Sequence, residues 1–245
     1  MREDEYQRVF DTETRHWWYV GGRSLLEHDL TQLFPDRFSR WLLDAGCGTG
    51  GNLLSLADHG TTVGIDLSST ALTFARTRGL GHLVRGTITA LPFLDNSFDA
   101  VISIDVLYHQ WVNDEMALRE FERVLRPGGI LILQVAALES LRGHHDSVVF
   151  TRERYSKSTL DLRLKNAGFR ISRITYRNTL LLPLIFLRRV LQRGSPEVRS
   201  DLQMPSTAVN TILRVIVSFE NALLRYVSLP LGSSLYAVAQ KPGKS

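Results

Sequence analysis

A glycine-rich turn is the clearest site of binding chemistry in this sequence. Gly46, Gly48 and Gly50 follow a short apolar run, and apolar residues with helical spacing resume after them. A glycine has no Cβ, so its backbone can take unusual φ values and lie directly against a ligand. We therefore predict a strand that enters a helix through a tight turn, and we call residues 46–50 the glycine turn.

Two aspartates accompany the glycine turn. Asp44 ends the first apolar run, and Asp66 ends a second one at residues 62–65. In doubly wound α/β folds, an acidic residue roughly twenty positions after the glycines accepts hydrogen bonds from ribose hydroxyls. The spacing is GxGxG, without the third glycine of the dinucleotide fingerprint and without a P-loop lysine. The pattern therefore favours a nucleoside without phosphate groups.

Composition narrows the class of protein. The chain has 245 residues, a formal net charge of +4 and one cysteine, which fits one large α/β domain and excludes an intramolecular disulfide framework. The charged N-terminus lacks the apolar core of a signal peptide, so we expect a cytoplasmic location. The basic surplus is mild and we expect no nucleic acid partner. The adjacent His144 and His145 lack a third ligand at helical spacing, so we expect no metal.

The glycine turn and the residues around it resemble motif I of the class I S-adenosylmethionine-dependent methyltransferases. The resemblance is to the bacterial group, type 11, that is related to the ubiquinone and menaquinone methyltransferases. It extends in the same order through residues 64–68, 90–93, 97–101 and 125–129. This resemblance implies an enzyme of class EC 2.1.1 with S-adenosylmethionine as its cofactor.

The resemblance also implies the fold class. We expect an α/β, doubly wound, seven-stranded Rossmann-like sheet of order 3-2-1-4-5-7-6 in which strand 7 is antiparallel. Residues 1–245 would form a single methyltransferase domain. Its predicted parts are an N-terminal helical lid (1–39), a core (40–176 and 233–241) and a helical insert between strands 6 and 7 (177–232) that roofs the acceptor. The aromatic residues near position 18 either anchor the first part on the core or close over the ligands.

The expected cofactor contacts extend beyond the glycine turn. The family usually has an Asp after the glycine that follows strand 3, where it bonds the adenine amino group, whereas this chain has Thr87. Thr87 would supply a weaker, neutral hydrogen bond. Asp105 would either bind the cofactor's ammonium group or cap a helix, and Arg23 would bind the methionine carboxylate. The predicted cofactor-binding residues are Arg23, Asp44, Gly46, Gly48, Gly50, Asp66, Leu67, Thr87, Ile88, Ile104 and Asp105.

The acid/base and acceptor contacts depend on residues farther apart in the chain. Ligands of open α/β sheets bind outside the carboxyl ends of strands, which favours His109 as a base or as a residue that orients the acceptor. The segment after strand 5 resembles the acceptor border of the same family, which adds His145 and Tyr155 as catalytic candidates. Either histidine could instead have only a structural role. The predicted acceptor contacts are Trp18, Tyr19, Tyr108, His144 and Arg152.

The insert contains two predicted apolar helices, over residues 180–191 and 209–226. They could cover the core, roof an acceptor pocket, form a homodimer or make a peripheral contact with a membrane. We favour a roof over a small-molecule, partly apolar acceptor that is methylated by in-line displacement. The alternatives are a lipid or lipid-linked saccharide methyltransferase at a membrane surface, and a non-catalytic homologue that binds the cofactor.

Overall fold

A computed structural model of the protein describes residues 3–35, 40–79, 81–192 and 203–243. The strands within these residues are β1 (Trp41–Ala45), β2 (Thr61–Asp66), β3 (His82–Arg85), β4 (Phe98–Ile104), β5 (Leu125–Ala136), β6 (Arg170–Arg177) and β7 (Ser234–Gln240). The α-helices are α1 (Glu3–Thr12), α2 (Trp17–Leu33), α3 (Leu53–Leu56), α4 (Ser69–Arg76), α5 (Asp114–Val124), α6 (His144–Val148), α7 (Lys157–Asn166), α8 (Leu182–Gln192) and α9 (Thr207–Leu224).

The strands form one seven-stranded sheet of order β3-β2-β1-β4-β5-β7-β6. β7 runs antiparallel to both of its neighbours, and the other pairs are parallel. The predicted fold class is therefore confirmed. The inner strand β4 is almost entirely apolar and buried, as expected for a parallel strand that is covered by helices on both faces of the sheet.

The sheet places the predicted site at its topological switch point. β1 pairs with β2 on one side and with β4 on the other, so the strand order reverses there, and ligands of such sheets bind at this point. The register puts Ala45 beside Ile65 and Asp44 beside Ile102. The residues that follow β1, β2 and β4 therefore meet at one edge of the sheet.

The N-terminal segment forms two helices, α1 and α2, with a break at residues 13–16. His16 caps the second helix, because its Nδ1 accepts a hydrogen bond of 3.3 Å from the backbone N–H of Trp18. The insert contributes α8 and α9, close to their predicted bounds. Residues 36–39 of the predicted lid and residues 193–202 of the insert lie outside the described residues.

The helix α9 packs closely on α2. A Cβ at Gly21 would lie only 2.3 Å from Cγ1 of Val217, so the two helices approach at a distance that requires glycine. Asn221 Nδ2 donates to the carbonyl oxygen of Gly21 at 2.8 Å. Near the other end, the backbone N–H of Trp17 donates to Oδ1 of Asn210 at 3.0 Å. The insert and the N-terminal helices are thus joined to each other.

Candidate active site

A cavity of about 790 Å³ opens over the carboxyl ends of the central strands. Its wall is built by the glycine turn, by the ends of β2 and β4, by α1 and α2, by the segment after β5 and by the two helices of the insert. Such a volume lies within the usual range of small-molecule and cofactor sites. The cavity therefore has room for two ligands of modest size side by side.

The glycine turn forms one end of this cavity. Gly46, Gly48 and Gly50 have φ values of +88°, +54° and +83°, a region that other residues rarely occupy. A Cβ on Gly46 would lie 2.4 Å from Cγ2 of Val106. Gly46 and Gly48 line the cavity, whereas Gly50 does not and packs against Ala75. The turn thus presents backbone, with no side chain, to a ligand.

Asp66 lies beside this turn and is held by the backbone. Its Oδ2 accepts a hydrogen bond from the N–H of Gly48 at 2.9 Å, and its Oδ1 accepts one from the N–H of Ser68 at 2.8 Å. Asp66 lines the cavity. A carboxylate with a fixed orientation and further lone pairs can accept hydrogen bonds from the two hydroxyls of a ribose.

Asp44 lies beneath the glycine turn and does not line the cavity, in contrast to its predicted role as a contact. Its side chain is fully buried, and neither carboxylate oxygen has a hydrogen-bond partner among the described residues. Burial, and secondarily the charge of Asp66, raise the pKa of Asp44 to about 8. Asp44 is therefore mostly protonated at neutral pH, and Asp66 is the carboxylate that borders the cavity beside the glycine turn.

The predicted adenine side of the site is lined by Leu67, Thr87 and Ile88. Thr87 Oγ1 lies 2.8 Å from Oγ1 of Thr89 and accepts a hydrogen bond of 3.2 Å from the N–H of Thr89. The Thr87 hydroxyl therefore stabilises its own turn while it borders the cavity.

Asp105 follows β4 and lines the cavity together with Ile104. It has a positive φ of +60° and precedes no helix directly, since Asn113 caps the next helix, α5. The alternative role as a helix N-cap is thus wrong. Its Oδ2 accepts a hydrogen bond of 2.9 Å from Nε2 of Gln134, whose Oε1 accepts one from Nη1 of Arg177. Burial raises the pKa of Asp105 to about 6.

A buried ionic cluster joins the N-terminal helices to the glycine turn, and the sequence analysis did not find it. Glu13 accepts hydrogen bonds of 2.5 Å from Oγ1 of Thr49 and from Nη2 of Arg78. Arg23 lines the cavity, and it donates to the backbone oxygen of Glu13. Only the contacts across long sequence separations reveal this cluster, so no local spacing could have indicated it.

The predicted acceptor end contains aromatic residues and two histidines. Trp18, Tyr19 and Tyr108 line the cavity, as do His109 and His145. His109 Nδ1 lies 2.7 Å from the carbonyl oxygen of Val149, so this nitrogen carries the proton and Nε2 is the acceptor in the neutral ring. Burial lowers the pKa of His109 to about 4.

Three of the predicted catalytic and acceptor residues do not line the cavity: His144, Arg152 and Tyr155. Tyr155 is fully buried, and its hydroxyl donates to Oδ2 of Asp114 at 2.5 Å. Arg152 and Arg163 form ion pairs with the same Asp114. The buried carboxylate of Asp114 therefore holds Tyr155 and Arg152 away from the cavity.

Several cavity residues were not predicted. The insert supplies an apolar wall with two arginines, and other elements supply polar groups, among them Tyr6, His16, Gln134, Asp146, Arg154, Leu181, Leu184, Ile185, Arg188, Arg189, Val209 and Leu213. The apolar runs indicated the two helices, but not which residues face the cavity. Among the described residues, no group of His, Cys, Asp and Glu side chains could hold a metal ion.

Residues 43–133 match the protein family described as "Methyltransferase domain". This part of the chain is similar to that family, and the strand order of the sheet is that of the class I methyltransferase fold. The domain carries the glycine turn, Asp66 and Asp105, and the family and the fold both support S-adenosylmethionine as the cofactor. The residues fit that molecule, because the glycine turn leaves room for a ligand and the surrounding carboxylates match its positive charges.

Curated relatives are similar to parts of this chain. Malonyl-[acyl-carrier protein] O-methyltransferase of Enterobacter lignolyticus is 41% identical over 115 residues, which cover 46% of this chain and 45% of that protein. Probable tRNA methyltransferase 9B of Homo sapiens is 38% identical over 107 residues, 43% of this chain and 23% of that protein. The chain thus spans less than half the length of either relative.

One chain of the complex between the Haloferax volcanii Trm112 methyltransferase activator and a methyltransferase has the same fold. Its TM-score is 0.64 at 22% identity, and the alignment covers 99% of this chain and 96% of that chain. Because the relatives include a human protein, the bacterial subgroup stays a prediction. The absence of a nucleic acid partner also stays a prediction.

Proposed function

We propose that the protein transfers a methyl group from S-adenosylmethionine to a small, partly apolar acceptor. The observation that carries the proposal is one cavity that is lined by two unlike sets of residues, which we call its two ends. One end has the glycine turn and Asp66, and the other has aromatic rings, two histidines and the apolar side chains of α8 and α9. The first end fits the adenosyl cofactor, and the second fits an acceptor with both polar and apolar groups.

The residues of the first end would hold the cofactor. Asp66 would accept hydrogen bonds from the ribose, Thr87 and the backbone of Ile88 would contact the adenine, and Asp105 and Arg23 would bind the ammonium and carboxylate groups. When bound, S-adenosylmethionine supplies a methyl group that its sulfonium already activates. The protein therefore needs mainly to position the acceptor and to exclude water.

The residues of the second end would orient the acceptor and take up its proton. Trp18, Tyr19 and Tyr108 would enclose the acceptor. His109 stays neutral at physiological pH because its pKa is about 4, so it is a weak base that would orient the acceptor through Nε2. We assign proton acceptance to His145, which borders the same cavity.

Titration calorimetry with S-adenosylmethionine and S-adenosylhomocysteine tests the cofactor site. We expect both to bind, and we expect affinity to fall below about pH 6, where the Asp105 carboxyl becomes protonated. Asp105→Asn should weaken binding about tenfold at pH 8, the size of one hydrogen bond to a charged group, and should lose this pH dependence. Asp58→Asn, on the exposed surface, is the control. No binding at millimolar cofactor would overturn the proposal in favour of a different role.

Methyl transfer from radiolabelled cofactor tests the acceptor class. The protein is incubated with a small-molecule extract, a lipid extract or total RNA, and label is counted in each fraction. We expect label in an organic-soluble small molecule, and label in RNA would contradict the proposed acceptor. His145→Ala should lower the turnover rate and His109→Ala should mainly raise KM. If the double variant keeps its rate within a few-fold, neither histidine is the base.

A further inference from the structure

The helix α9 has apolar residues on two opposite sides. On the inner side Leu213, Val217 and Leu224 are buried against the rest of the fold. On the outer side Val215 and Phe219 are 64% and 65% exposed. A helix that is apolar all round is usually buried on all sides, so the outer side of α9 lacks a cover among the described residues.

The exposed apolar side chains continue beyond these two residues. We define the outer face of the insert as the strongly exposed apolar residues of α8, of α9 and of the segment that follows α9: Phe186, Leu187, Val190, Leu191, Ile212, Val215, Phe219, Tyr226, Val227 and Leu231. On α9, the residues at positions 212, 215 and 219 follow helical spacing and lie along one side, and Tyr226 follows just after the end of this helix. An apolar surface of this extent indicates an interaction site.

The charges around the outer face have one sign. Arg188, Arg214 and Arg225 are exposed, and the acidic residue in the described part of the insert, Glu220, is buried. Its carboxylate accepts hydrogen bonds from the backbone N–H groups of Asn178 and Leu180, at 2.5 and 2.9 Å. The described insert therefore exposes positive charge and no negative charge, which fits an anionic partner.

We propose that the outer face of the insert binds the surface of an anionic lipid bilayer, with α9 lying in the plane of the interface. Apolar and aromatic side chains enter the boundary between headgroups and acyl chains, while arginines contact anionic headgroups. By length and composition alone α9 is apolar enough to cross a membrane. Its hydrogen bonds to α2 through Asn210 and Asn221 keep it in the fold, which favours lying on the bilayer.

The same charges disfavour a second copy of the chain as the occupant. A symmetric dimer would place the same face of two copies together. Arg214 and Arg225 would then approach their counterparts, and no exposed acid in the described insert could pair with them. A bilayer with anionic lipids has no such repulsion.

The outer face also adjoins the cavity. Leu184, Arg188 and Val209 are exposed and line the cavity, so α8 and α9 contribute both to the cavity wall and to the exposed surface. An acceptor with a long apolar chain could pass directly from the bilayer into the cavity. This consequence rests on the proposed function, whereas the lipid-binding surface does not.

Flotation of the full chain with vesicles tests the proposal. Vesicles of phosphatidylcholine are compared with and without phosphatidylglycerol, at low and at high salt. We expect binding to the anionic vesicles, weakened by salt. Val215→Ser with Phe219→Ser should reduce it at least about tenfold, because each buried side chain of this size stabilises association. Leu162→Ser on α7, which is 59% exposed, is the matched control.

A charge variant tests the role of the arginines around the outer face. Arg214→Glu with Arg225→Glu should remove the preference for anionic vesicles, and Arg119→Glu on the exposed side of α5 should not. Thermal unfolding of each variant checks that the fold is kept. Equal binding of the outer-face variant and the Leu162 control would overturn the proposal, as would failure of the wild type to float with anionic vesicles at low salt.

Sedimentation velocity tests whether a second copy of the chain covers the outer face instead. A dimer that the Val215 and Phe219 changes convert to a monomer, without vesicle binding, would replace the lipid surface by a second copy. Cofactor titration on the same samples separates the two proposals. Vesicle binding without cofactor binding would support the lipid-binding surface and overturn the proposed function. Cofactor binding without vesicle binding would overturn the lipid-binding surface and support the proposed function.

Discussion

The two ends of the cavity are built by different means. At the cofactor end the contacts come from backbone conformation: Gly46 and Gly48 have positive φ, and backbone N–H groups hold both oxygens of Asp66. At the acceptor end the wall consists of side chains from α2, from the segment after β5 and from α8 and α9. The first end is therefore fixed by a short stretch of chain, whereas the second depends on packing between distant elements.

This contrast explains how one fold can keep its cofactor while its acceptor varies. The glycine turn tolerates few changes, because its shape excludes side chains. The acceptor wall can change one residue at a time without disturbing the sheet. The link between α2 and α9 is where the two ends meet, since Asn221 bonds Gly21 on the helix that also carries Trp18 and Arg23.

Gly46→Ala should give the largest effect, and it tests whether backbone shape controls the cofactor end. The new Cβ would meet Val106 at 2.4 Å at a φ of +88°. Strain of roughly 1–2 kcal/mol and a similar cost of overpacking predict about a hundredfold loss of cofactor affinity by calorimetry. Gly79→Ala is the control, because its φ is +65° but its Cβ would meet nothing within 4 Å. Equal losses of cofactor affinity in both variants would mean that backbone strain alone, and not the contact with Val106, causes the effect.

Glu220→Ala tests whether the two ends are independent. It leaves the N–H group of the buried Asn178, and that of the partly exposed Leu180, without an acceptor, which should lower the free energy of unfolding by about 2 kcal/mol. Hydrogen exchange should increase at residues 178–180, while cofactor affinity should change little. Glu115→Ala, exposed on α5, should leave stability unchanged. A large loss of cofactor affinity in Glu220→Ala would show that the insert supports both ends.

Asp44→Asn tests the buried acid beneath the glycine turn. The pKa of Asp44 is raised in the folded protein to about 8 from a usual value of 3.8, so the folded state binds the proton more tightly. Its contribution to stability is therefore complete below about pH 4 and declines as the pH rises toward 8. The Asn variant lacks this decline.

Denaturant unfolding at pH 5 and pH 8 measures the effect of Asp44. The Asn variant should exceed wild type in free energy of unfolding by about 2 kcal/mol more at pH 8 than at pH 5. Each pKa unit corresponds to 1.36 kcal/mol, and the expected difference is less than the full value for the shift of Asp44. Asp58→Asn on the surface should show no such difference. A constant advantage at both pH values would contradict a raised pKa.

The sequence predicted the strand and the turn around the glycines because their signals are local. Glycine spacing and an acid at the end of a strand are set within a few residues, and the strand order followed from the resemblance. The acceptor end was predicted less well. Tyr155 and Arg152 were chosen by position in the chain, but Asp114 and Arg163, from two other helices, hold them outside the cavity. Contacts across such separations leave no pattern in the order of residues.

The same reasoning applies to the lid and the insert. Apolar runs predicted α8 and α9, because helical spacing is a local property. Which of their faces borders the cavity depends on how they pack against α2. The ionic cluster of Glu13, Thr49 and Arg78 joins three separate segments, so it too was visible only in the folded structure.

Thr87→Asp should give the smallest effect, and it tests whether residue 87 contacts the adenine at the cofactor end. Thr87 lines the cavity, and its oxygen accepts from the N–H of Thr89, a bond that an aspartate can keep. A charge-assisted bond to the adenine amino group should raise cofactor affinity about fivefold, or roughly 1 kcal/mol. Thr89→Asp adds the same charge at a residue that does not line the cavity. If both variants bind S-adenosylmethionine equally tightly, the gain comes from general attraction to a cationic ligand, and the assignment of Thr87 to the adenine contact is wrong.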